Sequence, residues 1–359
     1  KLSYLSFLLK EKKNLNKKIH SLFCKNHEEK LYFFSRSSWA IASIVLLKKN
    51  SCIFIPDFYC DEAIFLLRKL KVNIIFYKLK LDNTIDIEDI KKKAKIHKPD
   101  VVLFCNYFGK SYFNSYLYDL KKKYDLWIIE DSTHCIKPIN NSDHKGDFVI
   151  FSPYKMFPIP MGSVMVSKSS IKDLNLLNHL EDQFINAIKS SSLKLPGKKT
   201  NLIFFIKWFL KQFFKQLGIN KLKIEHFESD NYINSEKELL NPQIGAFSKK
   251  LMIIFLLNSQ KIINNRFQMF ELVKKVIEQK KVSYSKSKNF NVNLNVNEEM
   301  SQNHPYMLEV NGNYQHIKGF YDYLKNFKFP VLTWPALPCQ IKENNDTDNL
   351  AIKKRNSKF

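Results

Sequence analysis

Lys155 stands in FSPYKMFPIPMGS, residues 151–163, directly after an apolar run and among Pro153, Pro158 and Pro160. Prolines fix the backbone around it, which suits a residue that has to be held still. A partly buried lysine with a depressed pKa can condense with a carbonyl as a Schiff base and then move protons as a general acid and base. Ser152, three residues earlier, offers a hydroxyl to a bound anion. Asp131 closes a second apolar run, LWIIED, and is followed by Ser132, Thr133 and His134. A carboxylate at a strand end can cap a helix, ligate a metal or pair with a protonated ring nitrogen, and His134 is spaced to support either that carboxylate or the ring. The third place is the turn Ser35, Arg36, Ser37, Ser38, which opens the apolar helix pattern WAIASIVLL. Such a turn is first of all an N-cap, and the same geometry aims backbone N–H groups at a phosphate, to which Arg36 can add its charge.

These residues need a scaffold that brings strand ends together. Short apolar runs occur at 52–56 (CIFIP), 73–79 (NIIFYKL), 101–107 (VVLFCNY), 126–131 (LWIIED), 147–152 (DFVIFS) and 162–166 (GSVMV). Continuous runs imply strands covered on both faces, and amphipathic segments between the first four read as helices, so the pattern predicts a mostly parallel α/β sheet. Ligands of such sheets bind beyond the carboxyl ends of the strands, so Asp131 and Lys155 are expected to converge there. Residues 1–30 read as an N-terminal helical segment. Residues 31–240 read as the large domain, with a helical excursion at about 169–240. Residues 241–359 read as a linking helix, from Gly245 to about Ile277, and a small C-terminal α/β domain containing PYMLEV (305–310) and VLTWPALP (331–338).

The formal net charge is +24 over 359 residues, which invites a nucleic-acid or anionic-membrane reading. The lysines are dispersed in short runs such as Lys91 to Lys93, however, and read as solvated faces, so no nucleic-acid partner is expected. Within the excursion, Ile203 to Phe214 (IFFIKWFLKQFF) is aromatic and basic; a membrane-surface helix is one reading, and burial against the body or a partner subunit is the favoured one. The six cysteines are scattered, several within apolar runs, which fits a reducing cytoplasm. No cysteine and histidine spacing matches a zinc site, so no metal is expected. No signal peptide and no uncharged apolar run of membrane-spanning length is seen, and a soluble cytoplasmic protein is expected. The chain starts at Lys1 without Met and stops at Phe359, which leaves its ends open to truncation.

In this order, SRSSWAI, IPDFYC, NYFG, IEDSTH and FSPYKMFPIPMGSVMV resemble the motifs of the DegT/StrS-type sugar aminotransferases, from about Phe34 to Val166. The resemblance implies fold type I, with a seven-stranded type of sheet between helices, and pyridoxal 5'-phosphate (PLP) as cofactor. It implies that Lys155 holds the cofactor as a Schiff base, with Asp131 on the pyridine nitrogen and His134 in support. Ser152, Arg36 and Ser37 would lie at the phosphate, and Tyr59 and Cys60 over the ring. Three positions depart from the family pattern: Ser35 for glycine, Asn106 for histidine and Ser163 for the second glycine of a pair, and the Ser152 to Lys155 spacing is shorter than in many members. The implied reaction is transamination from an amino acid, glutamate foremost, to the keto group of a nucleotide-linked sugar in surface glycan synthesis, by a homodimer. Rival readings are a related sugar dehydratase, in which a histidine replaces the lysine, and a catalytically silent basic interaction protein.

Overall fold

The apolar runs become strands of a seven-stranded sheet in the computed structural model, which describes residues 12–48, 52–138, 144–168, 242–288 and 310–327, and further 206–211, 213, 294–296, 337–338 and 341. The strands are β1 (Lys30–Phe34), β2 (Cys52–Pro56), β3 (Asn73–Tyr77), β4 (Val101–Cys105), β5 (Trp127–Asp131), β6 (Phe148–Phe151) and β7 (Ser163–Ser167). Their spatial order is β1-β7-β6-β5-β4-β2-β3. The pairs from β3 through β6 are parallel, and β7 runs antiparallel to both of its neighbours. Strands β2, β4, β6 and β7 are buried along their whole length, the physical reason their sequences are apolar without alternation.

The helices α1 (Lys12–Phe23), α2 (Ser37–Leu47), α3 (Asp61–Lys69), α4 (Ile87–His97) and α5 (Tyr116–Tyr124) flank this sheet in sequence. Helix α4 starts where it does because the Asp86 carboxylate accepts from the N–H groups of Glu88 (3.1 Å) and Asp89 (3.2 Å). The edge strand β1 is absent from the sequence expectation; its KLYFF pattern, with Tyr32 and Phe34 in one core and Leu31 and Phe33 against the other, shows why it mixes both signals. The helical pattern from Gly245 divides at Asn258 into α6 (Ala246–Leu257) and α7 (Ser259–Lys288), where the Asn258 side chain donates to Ile254 O at 2.8 Å and competes with helix continuation. The end of α7 packs with β8 (Leu294–Val296), β9 (Val310–Gly312) and α8 (Tyr314–Asn326), and a separate small core forms around Ile277, Tyr284, Ile317, Phe320 and Tyr321. Most of the excursion, and PYMLEV and VLTWPALP apart from Val310, Leu337 and Pro338, lie outside the described residues.

Gly146 is where backbone approaches backbone on the way into β6. A Cβ there would lie 2.6 Å from Phe148 O and 2.8 Å from Glu130 N. Gly146→Ala is therefore expected to destabilise the sheet by about 1–3 kcal/mol through overpacking. A denaturation midpoint equal to that of the unsubstituted chain would contradict the close approach.

Candidate active site

The carboxyl ends of β1, β2, β4, β5 and β6 face one edge of the sheet, and every sequence-predicted site residue lies within a few positions of one of them. Asp131 is the last residue of β5 and pairs with Ile150 of the adjacent β6, two positions before Ser152. Pro153–Lys155 then forms a single 3-10 turn, closed by Lys155 N–H to Ser152 O at 3.0 Å and Met156 N–H to Pro153 O at 3.0 Å. Arg266 of α7 donates to Met156 O at 2.9 Å and pins the far side of that turn.

The turn delivers Lys155 to Asp131 through one residue. Lys155 Nζ donates to Thr133 Oγ1 at 3.1 Å, and Thr133 N–H donates to Asp131 Oδ1 at 2.9 Å. Lys155 is exposed, not partly buried as the sequence predicts, because its turn lies on the open edge of the sheet. Thr133 is the residue that sequence reasoning passed over, although it stands between the two motif residues Asp131 and His134.

Asp131 is buried, and its other oxygen, Oδ2, accepts from the Tyr59 hydroxyl. Burial first, and the Asp131 charge second, push the Tyr59 phenol well above its usual pKa, so it is a neutral donor to that carboxylate. Tyr59 is aimed by its loop. Asp57 N–H donates to Tyr77 O at 2.9 Å, Leu79 N–H donates to Asp57 Oδ1 at 3.2 Å, and the Tyr107 hydroxyl donates to Phe58 O. Tyr59 thus grips the carboxylate, a role that its place in IPDFYC does not disclose. Cys60, next in the loop, is close enough to Lys155 to feel its charge, yet burial dominates and holds the thiol protonated, its pKa pushed up to about 11.

His134 is neutral: burial, then the nearby Lys155 charge, lower its pKa well below the usual value. Its Nδ1 accepts from Phe108 N–H at 3.2 Å, and its ring stacks on Phe108 with centroids 5.8 Å apart. Phe108 adopts φ 55°, ψ 22°, a left-handed conformation rare for a bulky residue and of the kind that collects at functional sites. Behind this layer, Asn106 donates to Glu130 Oε1 (2.9 Å) and Ser132 Oγ (2.8 Å), while Glu130 Oε2 accepts from the N–H groups of Lys145 (2.7 Å) and Gly146 (3.1 Å). This buried network ties β4, β5 and the entry to β6 together.

On the β1 side, Gly162 N–H donates to Ser35 O at 3.0 Å and brings the serine turn to the start of β7. The N-cap of α2 is Arg36, whose side chain makes no capping bond; its guanidinium lies 4.5 Å from the centre of the Tyr154 ring, beside Lys155. The expectation of a serine cap is corrected here, since Ser35 precedes the cap and Ser37 is the first, buried residue of the helix. The Ser35 and Ser152 hydroxyls are both buried with no hydrogen-bond partner. Buried polar atoms are ordinarily satisfied, so two orphans at the carboxyl ends of β1 and β6, the first of them next to a helix N-terminus, fit a site for an anion at this edge of the sheet. The described residues contain no group of histidine, cysteine and carboxylate side chains able to hold a metal.

No family model and no curated protein matches this sequence. Solved structures do match. PseC of Helicobacter pylori, an aminotransferase involved in the biosynthesis of pseudoaminic acid, is 12% identical over 99% of this chain and 88% of its own, with a TM-score of 0.58. A DegT DnrJ EryC1 StrS aminotransferase from Brucella abortus is 13% identical over 96% of this chain and 83% of its own, with a TM-score of 0.56. The GDP-4-keto-6-deoxymannose-3-dehydratase ColD is 15% identical over 96% and 86%, with a TM-score of 0.55. The chain has the fold of these enzymes, fold type I.

Proposed function

We propose that the chain is a member of the DegT/StrS-type family, a PLP-dependent aminotransferase that moves an amino group from an amino acid to the keto group of a nucleotide-linked sugar. The observation that carries this reading is the chain of bonds from Lys155 Nζ through Thr133 to Asp131, which sets an amine and a buried carboxylate on one strand-end edge. The names of the similar structures, an aminotransferase of pseudoaminic acid biosynthesis, a DegT DnrJ EryC1 StrS aminotransferase and a GDP-4-keto-6-deoxymannose-3-dehydratase, favour the same substrate class. Lys155, where that dehydratase class has histidine, favours transamination.

The chain's residues divide the work. The Ser35 and Ser152 hydroxyls, the first turn of α2 from Ser37 and the Arg36 guanidinium are the groups for the PLP phosphate. Asp131, bonded by the Tyr59 hydroxyl and the Thr133 N–H, is the partner for the pyridine nitrogen, while His134 and the Phe108 ring stacked on it wall the site. Bound PLP supplies an electron sink for the charge left on the reacting carbon. Lys155 Nζ takes the proton from the substrate carbon that bears the amino group and returns one on the opposite side of the exchange. Thr133 Oγ1, which accepts from Nζ at 3.1 Å, would steady the amine for both transfers. In this reading the enzyme works in the cytoplasm as a homodimer, in polysaccharide biosynthesis, with glutamate as the first donor to test.

The purified chain is expected to gain a visible absorbance band on adding PLP and to lose it on adding glutamate. A chain that stays colourless with PLP overturns the cofactor assignment. A band that none of the twenty amino acids changes overturns transamination.

A further inference from the structure

Residues 206–211 and 213 are helical, and Ile206, Phe209, Leu210 and Phe213 fall at i, i+3, i+4 and i+7, a single stripe of that helix. All four are open to solvent, at 51, 64, 46 and 50% exposure. Within the single chain these side chains are therefore not packed against the body, one of the two places where the sequence reading puts them. Lys207 and Lys211 fall to one side of the stripe and are exposed as well. Charge in this part of the chain is one-sided: from 183 to 224 there are nine lysines and no aspartate or glutamate. Among the described residues no helix is long and apolar enough to cross a membrane.

From the exposed apolar stripe, the exposed Lys207 and Lys211 beside it and the acid-free sequence that flanks them, we propose that this helix lies in the headgroup layer of an anionic lipid bilayer, peripheral to the membrane and parallel to it. An apolar and aromatic stripe with lysines flanking it is what the interface of a negatively charged leaflet selects. A second copy of the chain is a poorer occupant, because closing stripe on stripe sets two lysine-rich segments against each other. The proposal is independent of the catalytic reading.

The full chain, mixed with sedimentable vesicles, is expected to partition about tenfold or more in favour of phosphatidylcholine containing roughly 30% phosphatidylglycerol over phosphatidylcholine alone, with salt weakening the preference. Phe209→Glu is expected to reduce that binding about tenfold at an unchanged melting temperature. The paired change Lys207→Gln and Lys211→Gln, which leaves the apolar stripe in place, should lower the salt sensitivity and so serves if Phe209→Glu fails to fold. Equal partition onto neutral and anionic vesicles overturns the proposal. So does wild-type vesicle binding by both variants, or loss of self-association by Phe209→Glu with no vesicle binding by the parent, which would assign the stripe to a second copy.

Discussion

Lys155→Ala is expected to abolish transamination while leaving the chain able to bind PLP. The groups assigned to the phosphate, Ser35, Ser152, Arg36 and the start of α2, and the carboxylate assigned to the ring nitrogen do not depend on the lysine. Only the covalent link and the proton carrier go. A positioned acid/base is worth about 100- to 10,000-fold by itself, so kcat should fall by at least that range. The fold should tolerate the change, since Lys155 is exposed and the Thr133 hydroxyl that accepts from its Nζ can turn to water. Borohydride reduction of the PLP-loaded protein followed by peptide mapping identifies the residue directly. A pyridoxyl group on any other lysine would disprove the site even if the activity were found.

Asp131→Asn is expected to keep the covalent link to Lys155 and to lose most of the rate, about 100- to 1,000-fold, the usual cost of removing one preorganised charge from a site. The amide is the informative substitution. It keeps an oxygen for the Thr133 N–H, now at 2.9 Å from Oδ1, so the connection to Lys155 survives. Asp131→Ala would instead strand the buried Tyr59 hydroxyl and the Thr133 N–H, at about 1–3 kcal/mol for each unsatisfied group, and mix a folding defect with the chemical one. With Asn, the visible band should persist and kcat fall; unchanged kcat would remove Asp131 from the role of ring-nitrogen partner.

The strands legible in the sequence are those whose environment is uniform. CIFIP and the first five residues of VVLFCNY are buried on both faces, so every residue there carries the same apolar signal; the observed β2 coincides with the first run, and β4 ends at Cys105, two residues before the end of the second. Strand β1 is at the sheet edge, where exposure breaks the pattern on which a local reading depends, and the helix read from Gly245 to about Ile277 is interrupted at Asn258 and runs on to Lys288. The order of the candidate motifs, from the serine turn to IEDSTH to the lysine segment, was legible for a related reason. Each polar residue after an apolar run has a structural use such as capping, but ligands of such sheets bind beyond the strand ends, so several such places in one order point to a site there.

By itself, then, the sequence determined the parallel sheet, the strand ends at Asp131 and Ser152, and the placing of Lys155 one turn beyond the second of them. What each side chain touches was decided by the tertiary structure. Tyr59 and Asp131 are 72 residues apart and meet because β2, β4 and β5 lie side by side, an order set by crossover packing and carried by no local stretch of residues. Whether the phenol there stacks on a ring or binds a carboxylate depends on how Asp57 and Tyr107 hold its loop. The same holds for His134, which is driven neutral by burial beside Lys155, and for Ser35 and Ser152, whose hydroxyls are orphaned only once β1, β7 and β6 have closed around them. Burial and hydrogen-bond satisfaction are properties of the packed chain, because they depend on which distant groups exclude water from a given atom.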